Sequence, residues 1–291
     1  MKIQKIISMA SENVRLRFLA MERSLRAVGC DLPIWVIPYN EERFDLPANS
    51  TWWEVSEVSQ WLAENGTHPV MRKYQILAEE NYQFVDADVC FLRNPVDVLA
   101  NQTGFVTSCG HWRGVDETVT NQSRVIMGRR TTGWHRDVFN TGQFACDRQL
   151  FTIDALKARA MHPEFIETCI RLPHHEQPGI NLLVFDSGVE VNNLTLPPVR
   201  MESTWAGDYS SEYRHYWTEE SRMPYLIHWA GTDMSVERPI NEIFHNYLTK
   251  VEKEEWDEQV AKRSLAIRKQ QNSARAFARR VKRGYYTFLN K

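Results

Sequence analysis

The 291-residue sequence predicts an α/β fold, in which helices flank a mainly parallel sheet and a basic helical tail follows. Short apolar segments at Lys5–Ala10, Pro33–Pro38 and Tyr82–Val85 have the length and residue types of buried strands. Longer segments with apolar residues at helical spacing separate them. Because strands that alternate with helices favour parallel pairing, we expect a sheet covered by helices.

The first helix is predicted from about Val14 to Val28, because apolar residues recur there at helical spacing. Ser11–Asn13 offers N-cap chemistry before this helix, and Gly29 closes it as a C′ residue. A further helix–strand pair is expected from Pro69 to Asp86. Later strands are expected at Phe105–Ser108, Gly142–Ala145, Val189–Val191 and Tyr225–His228.

The composition is that of a globular protein, with 43% hydrophobic and 25% charged residues. The five cysteines are dispersed and form no CxxC pair, so buried reduced thiols are expected instead of structural zinc or disulfides. The N-terminus lacks the apolar core of a signal peptide, and no stretch reaches the ~18 apolar residues of a membrane span. These features predict a cytoplasmic protein.

The C-terminal tail differs in charge from the rest of the chain. The stretch 262–283 holds nine Lys or Arg and no acidic residue, although the whole chain carries a net charge of −2. Two parts with different roles are therefore expected: a main domain at 1–245, and a helical region with a basic amphipathic tail at 246–291. Within the tail, Phe277, Val281, Tyr285 and Phe288 form an apolar stripe among the cations. This pattern favours an anionic membrane surface at 262–291, with packing on the body as the alternative and nucleic acid not expected.

Two carboxylates follow the third predicted strand, at Asp86 and Asp88. In a parallel sheet, ligands bind beyond the carboxyl ends of the strands, and residues two apart on extended chain point the same way. Two oxygen ligands beside open positions suit Mg²⁺ or Mn²⁺ with a diphosphate completing the coordination. The alternative is a solvated Asx turn at the end of a strand.

Five segments form an ordered set, at Ser8–Asn13, Phe84–Val89, Phe139–Gly142, His174–Asn181 and Ile227–Gly231. Together they resemble the motifs of GT-A fold nucleotide-sugar glycosyltransferases. The resemblance is strongest to glycosyltransferase family 8 and its bacterial lipopolysaccharide galactosyltransferase relatives. It implies that His228 is a third metal ligand beside Asp86 and Asp88, and that the chain uses Mn²⁺ or Mg²⁺.

The same resemblance assigns donor-binding and catalytic residues. Glu176 and Gln177 correspond to the family's Asp-Gln pair near the donor sugar and the anomeric carbon. The amide of Asn140 has both a donor and an acceptor with which to bind a sugar hydroxyl. The residues implied to contact the donor are Ser8, Ala10, Ser11, Asn13, Arg72, Lys73, Asp86, Ala87, Asn140, Thr141, Gly142 and Gly231.

Some positions depart from the family pattern or allow a simpler interpretation. Glu176 replaces the family's Asp, and its role as base, nucleophile or sugar clamp is open; the alternative is an exposed carboxylate at a helix start. Pro178-Gly179 replaces helix-forming residues. Arg72 and Lys73 alternatively form a solvated helix face.

The resemblance implies a metal-dependent, retaining transfer from a nucleotide sugar, with a UDP-sugar favoured, to a glycan or lipid-linked acceptor. An inverting enzyme that uses Glu176 or Asp147 as general base is one alternative. A non-catalytic protein that binds membranes or polyanions through the tail is another. A nucleotidyltransferase is disfavoured, because no glycine precedes Gly29 to form a phosphate loop after the first strand.

Overall fold

A computed structural model describes residues 1–116, 118–172, 175–209 and 211–265. The chain forms two compact units, Met1–Tyr247 and Leu248–Lys291. In the second unit, residues 250–265 are helical. The apolar stripe from Phe277 to Phe288, like the rest of 266–291, lies outside the described residues, so the catalytic and membrane roles assigned to the two parts of the chain stay predictions.

The first unit alternates strands and helices along most of its length. The strands are β1 (Lys5–Ala10), β2 (Ile34–Pro38), β3 (Ser50–Trp52), β4 (Tyr82–Val85), β5 (Val89–Phe91), β6 (Phe105–Thr107), β7 (Gln143–Cys146), β8 (Val191–Asn193) and β9 (Leu226–His228). The helices are α1 (Arg15–Ala27), α2 (Ser56–Glu64), α3 (Pro95–Leu99), α4 (Asn121–Arg130), α5 (Ile153–Ala160), α6 (Ile166–Cys169), α7 (Gln177–Ser187) and α8 (Asn241–His245).

The main sheet of the described chain has seven strands in the order β3-β2-β1-β4-β7-β6-β8. Strands β3, β2, β1 and β4 pair in parallel, as do β6 and β8, whereas β7 runs antiparallel to both of its neighbours. A separate pair of antiparallel strands, β5 and β9, lies outside this sheet. The predicted mainly parallel α/β architecture is therefore confirmed, with one reversed strand, β7, in the fifth position of the sheet.

Apolar residues pack on both faces of the sheet. Along β1, Ile7 and Met9 belong to one buried cluster and Ile6 and Ala10 to the other, as expected for alternating side chains. The second cluster includes the buried face of α1, with Phe18, Met21 and Leu25. The core thus fixes the positions of β1 and β4, and with them the ends from which the site is built.

Most predicted elements are found close to their expected bounds. Helix α1 ends before Gly29, whose φ of +78° is the left-handed conformation expected of a C′ glycine. Two expectations were wrong in detail: β8 begins two residues later than predicted, and the segment Pro69–Ala78 is a 3₁₀ helix. The cysteines are all free and buried, as predicted. Among the residues described, no helix combines the length and apolarity that crossing a membrane requires.

Helix α7 forms despite its Pro178-Gly179 start. Pro178 lies in the first turn, where the missing N–H costs no hydrogen bond. A Cβ on Gly179 would lie 1.9 Å from the hydroxyl of Tyr74, which donates 2.7 Å to the carbonyl of Cys169. The glycine is therefore explained by close packing, and the helix begins with Gln177 facing the site described next.

Candidate active site

The candidate site lies beyond the carboxyl ends of β1 and β4. These strands pair in parallel, so Ala10 and Asp86 leave the sheet at the same edge. Because β7 is antiparallel to β4, its starting end reaches that edge, where the N–H of Asp86 donates 2.7 Å to the carbonyl of Gly142. The reversed strand thus delivers Asn140–Gly142 to the carboxylates of the acidic pair.

Asp86, Asp88 and His228 form a cluster in which one potential ligand atom from each lies within 4.8 Å of the others. Nε2 of His228 is 3.3 Å from Oδ1 of Asp88 and 3.8 Å from Oδ2 of Asp86. Pairing of β9 with β5 sets His228 opposite Val89, directly after the acidic pair. Both carboxylates are half-buried and each has an ionisable neighbour, Lys73 for Asp86 and His228 for Asp88, which argues against the alternative of a solvated Asx turn.

This cluster has the properties of a divalent-metal site. Nε2 of His228 is buried and makes no hydrogen bond of normal geometry, although Asp88 is near. Such an unsatisfied buried nitrogen is costly unless a ligand completes it. Two carboxylates and one imidazole are a donor set that Mn²⁺ and Mg²⁺ accept. The residues present therefore fit the predicted ion.

Burial acts on both carboxylates of the cluster. It raises the pKa of Asp86, and the adjacent charge of Asp88 adds to this effect, in spite of the opposing charge of Lys73. Burial also opposes ionisation of Asp88, but the imidazole of His228 outweighs it and lowers the pKa of Asp88. A divalent cation would favour the ionised form of both carboxylates.

Lys73 is buried beneath the cluster and bridges two acids. Its Nζ lies 2.8 Å from Oδ1 of Asp86 and 2.9 Å from Oε1 of Glu176. Burial disfavours the charge of Lys73, but the carboxylates outweigh it and the pKa of Lys73 is raised. Burial by itself would raise the pKa of Glu176. The charge of Lys73 outweighs burial, and the pKa of Glu176 is lowered. The alternatives of a solvated Lys73 and an exposed Glu176 are therefore wrong.

Glu176 and Gln177 fasten the 139–142 segment. The hydroxyl of Thr141 donates 3.1 Å to Oε1 of Glu176, and the N–H of Thr141 donates 3.1 Å to Oε1 of Gln177. Asn181, one helical turn on, accepts from the N–H of Phe139 and donates to its carbonyl, both at 2.9 Å. Helix α7 thus holds the loop before β7 against the metal cluster.

A cavity of about 370 Å³, cavity A, opens between the end of β1 and the acidic pair. Six of the residues that the resemblance assigns to the donor line it: Ala10, Ser11, Asn13, Lys73, Asp86 and Ala87. Ser8 does not reach it, because its side chain is buried within β1. Arg72 does not reach it either: its guanidinium donates 2.8 Å to the carbonyl of Pro38 and lies 3.6 Å from Glu54.

A second cavity of about 430 Å³, cavity B, opens on the β7 side and is lined by the predicted Asn140, Gln177 and Gly231. Oδ1 of Asn140 accepts a hydrogen bond of 2.8 Å from the N–H of Gly142, and this bond stabilises the turn of the loop. Asp86 and Asp88 line cavity A, and cavity B lies near the cluster through Gly231, three residues after His228. The chain thus offers two binding spaces close to the cluster.

Asp147, the alternative general base, lies at the opposite edge of the sheet. It follows Cys146, which pairs with Tyr82 at the start of β4. Its carboxylate accepts 2.8 Å from the N–H of Gly104 and pairs with Arg148. An inverting mechanism through Asp147 is therefore excluded by the direction of β7.

No protein-family model matches the sequence, and no curated protein matches it. Solved structures do. The glycosyltransferase GlyE of Streptococcus pneumoniae TIGR4 is similar with a TM-score of 0.51 and 12% identity, over 89% of this chain and 64% of GlyE. The galactosyltransferase LgtC, solved with donor and acceptor sugar analogs, has a TM-score of 0.51 and 12% identity, over 84% of this chain and 94% of LgtC.

The chain has a GT-A fold. The bifunctional glycosyltransferase WbbM is also similar, with a TM-score of 0.50 and 10% identity, over 90% of this chain and 52% of WbbM. The chain thus spans 64% of GlyE and about half of WbbM. At these identities, the similarity establishes the architecture.

Sequence reasoning missed several residues of this GT-A site. Arg17 and Tyr39 line cavity A, and Trp205, Asp208 and Arg113 line cavity B. Arg17 could have been inferred from its position, because it lies in the first two turns of the helix that follows the first predicted N-cap. The cavity B residues lie in loops and short 3₁₀ turns, which have no periodicity to reveal them.

Proposed function

We propose that this chain is a metal-dependent glycosyltransferase that transfers a sugar from a nucleotide diphosphate, preferably UDP, to a glycan or lipid-linked acceptor. The observation that carries the proposal is the Asp86, Asp88 and His228 cluster between cavities A and B. A fold shared with glycosyltransferases supports it. Cavity A takes the nucleoside, and the part of cavity B beside Asn140 and Gln177 takes the transferred sugar.

Asp86, Asp88 and His228 would hold Mn²⁺ or Mg²⁺. When bound, the ion acts as a Lewis acid that neutralises the charge of the departing diphosphate. Oδ1 of Asp86 is already engaged by Lys73 at 2.8 Å, so Oδ2 is the oxygen left for the ion. Nε2 of His228 then gains the partner that it otherwise lacks.

The remaining residues orient the donor. Ser11 and Asn13 line cavity A, where the nucleoside binds beyond β1. Asn140 and Gln177 line cavity B, where their amides bind sugar hydroxyls. Gln177 also accepts the N–H of Thr141, so its side chain is fixed before the donor arrives.

We propose a retaining outcome, which the resemblance to glycosyltransferase family 8 implies, and the contacts of Glu176 argue against this residue as the general base of an inverting reaction. Glu176 is buried, is paired with Lys73 and accepts from Thr141, and its pKa is lowered by Lys73 against the effect of burial. A carboxylate held in this way is a weak proton acceptor. The anomeric configuration of the product, measured by NMR, separates the two mechanisms. A product of inverted configuration would contradict the retaining outcome and support the inverting alternative.

The metal role is tested by Asp86→Ala and Asp88→Ala in hydrolysis or transfer assays of UDP-sugars with Mn²⁺. Both variants are expected to lose metal-dependent turnover. Asp31→Ala is the matched control, because Asp31 is exposed at the end of the sheet opposite the site. Full turnover of both site variants in the presence of chelator would contradict the proposal.

We also propose that the basic tail binds anionic membrane surfaces from the cytoplasmic side. Nine cations at 262–283 without an acidic residue support this. Removing residues 262–291 is expected to weaken binding to vesicles that contain anionic lipid and to leave UDP-sugar hydrolysis unchanged. Equal vesicle binding with and without the tail would reject the membrane role and favour packing on the body.

A further inference from the structure

A third cavity continues the groove away from the metal cluster. Cavity C measures about 440 Å³ and shares Gly110, Arg113 and Asp208 with cavity B. Because they share three lining residues, the two cavities are neighbours, and together they are called the groove. The groove therefore extends well past the space that a single transferred sugar fills.

The floor of this groove in cavity B carries an exposed indole. Trp205 is 41% exposed, yet it is held in one orientation, because its Nε1 donates 2.8 Å to the carbonyl of Ala230. A Cβ on Gly207 would lie 2.3 Å from the Trp205 ring, so the ring packs flat over that glycine. The backbone of Trp205 also bridges to His228. The indole is thus a rigid apolar surface beside the metal cluster.

A second aromatic surface lies in cavity C. Tyr216 is 49% exposed and lines this cavity. Its ring meets the edge of Tyr209 at 5.6 Å between centroids, and Tyr209 packs in the same way against Trp217 at 5.6 Å. The hydroxyl of Tyr209 accepts 3.2 Å from Nε1 of Trp217. This packing fixes Tyr216 on the wall and leaves part of it open to the groove.

Charges of both signs line cavity C. Arg113, Arg200 and Arg222 face Glu202 and Asp208, and Arg222 is already paired with Glu202. A polyanion is disfavoured, because two carboxylates would repel it. A lipid tail is disfavoured as well, because it would desolvate charged groups without replacing their hydrogen bonds. A neutral chain rich in hydroxyls can bond to groups of both signs.

We propose that the groove formed by cavities B and C binds a glycan acceptor of at least two sugars, with Trp205 under the sugar nearest the metal and Tyr216 against a more distant one. The apolar face of a pyranose presents C–H groups, which the electron-rich faces of aromatic rings attract. The inference rests on the proposed glycosyltransferase function. It adds that the acceptor is recognised as an oligosaccharide, through its sugars.

The test measures binding of defined hexopyranose mono-, di- and tetrasaccharides on a glycan array, with affinities by calorimetry for those that bind. The wild type is expected to bind oligosaccharides more tightly than monosaccharides. Trp205→Ala is expected to weaken all glycans by about tenfold or more, a typical loss for an aromatic stacking surface. Tyr216→Ala should weaken the oligosaccharides alone.

Two further variants sharpen the test. Gly207→Ala keeps the indole but displaces it, and it should mimic Trp205→Ala. Val125→Ala is the control, because Val125 is 51% exposed on α4 and lines none of the three cavities. Three results would overturn the inference. They are no glycan binding by the wild type, equal glycan affinity of the wild type and Trp205→Ala, and equal affinity of the wild type for mono- and disaccharides.

Failure of the inference can be told from failure of the proposed function. Binding of UDP-sugars to the wild type with and without Mn²⁺ is measured by thermal shift in parallel. A protein that binds nucleotide sugars but has glycan affinity independent of Trp205 retains the proposed function and loses the acceptor groove. A protein that binds glycans through Trp205 and no nucleotide sugar loses the proposed function.

Discussion

Gly142 lies directly against the imidazole of His228: a Cβ added to this glycine would approach Cε1 of His228 to 2.0 Å and Oδ2 of Asp86 to 2.7 Å. Real Cβ atoms do not come this close to other atoms. The reversed strand β7 therefore reaches the metal cluster only because its entry carries no side chain at this position.

Gly142→Ala is expected to push His228 and Asp86 apart and to lower metal-dependent turnover on the order of 100-fold, as small displacements of catalytic groups do. Mn²⁺ affinity should fall with it in calorimetry. Gly128→Ala within α4 is the control, since the nearest atom to the added Cβ, Nε1 of Trp134, is at an ordinary contact distance of 3.7 Å. That change should stabilise the fold by about 0.5–1 kcal/mol.

Lys73→Met is expected to destabilise the fold by about 3–5 kcal/mol, because it leaves Glu176 buried without its cationic partner. Urea unfolding measures the change. The double variant Lys73→Met with Glu176→Gln removes both charges and should recover part of the loss. Strictly additive destabilisation in this double-mutant cycle would show that the two side chains do not interact.

Asn181→Ala is expected to leave the buried N–H and carbonyl of Phe139 without partners, at a cost of about 1–3 kcal/mol for each group. The loop that ends at Gly142 should then become mobile, which hydrogen exchange of the Thr141 amide can detect. Asn192→Ala removes a single exposed bond to Thr103 and serves as the comparison. Equal protection of Thr141 in both variants would contradict the clamp.

Asp186 is expected to contribute stability that depends on pH. Burial raises the pKa of Asp186, but Arg159 and Arg130 outweigh this effect and lower the pKa below its usual value. The contribution is therefore present above the unfolded pKa of about 3.9 and is lost as the pH falls through the lower folded value. The difference in unfolding free energy between wild type and Asp186→Asn should be largest near pH 7 and vanish in acid. A difference that grows in acid would reverse the assigned sign.

The grouping of Asp86, Asp88 and His228 was predicted partly from local signals and partly from the family resemblance, which alone linked His228 to the acidic pair. Asp86 and Asp88 end an apolar strand, and His228 closes another beside a glycine. The fold followed from the alternation of short apolar segments and helical periodicity, as in β1 and α1. These signals depend only on neighbours in the chain, so they survive without knowledge of the tertiary structure.

Other features depend on contacts between distant segments. The antiparallel direction of β7 is set by pairing with β4 and β6, and it alone excludes Asp147 from the site. Arg72 and Lys73 are adjacent in sequence, yet the 3₁₀ turn sends one to the carbonyl of Pro38 and buries the other beside Glu176. The groove around Trp205 and Tyr216 is built from loops, where no period indicates which side chains are exposed.

Lys73 supplies Asp86 with a permanent counter-ion from inside the protein. The proposed metal site therefore has a cation beside it even when no ion is bound, and a chelator is expected to remove the ion without unfolding the chain. Under the proposed function, the divalent ion would then serve the reaction and not the fold, while the ammonium group of Lys73 would stay beside Asp86 whether or not the ion is bound.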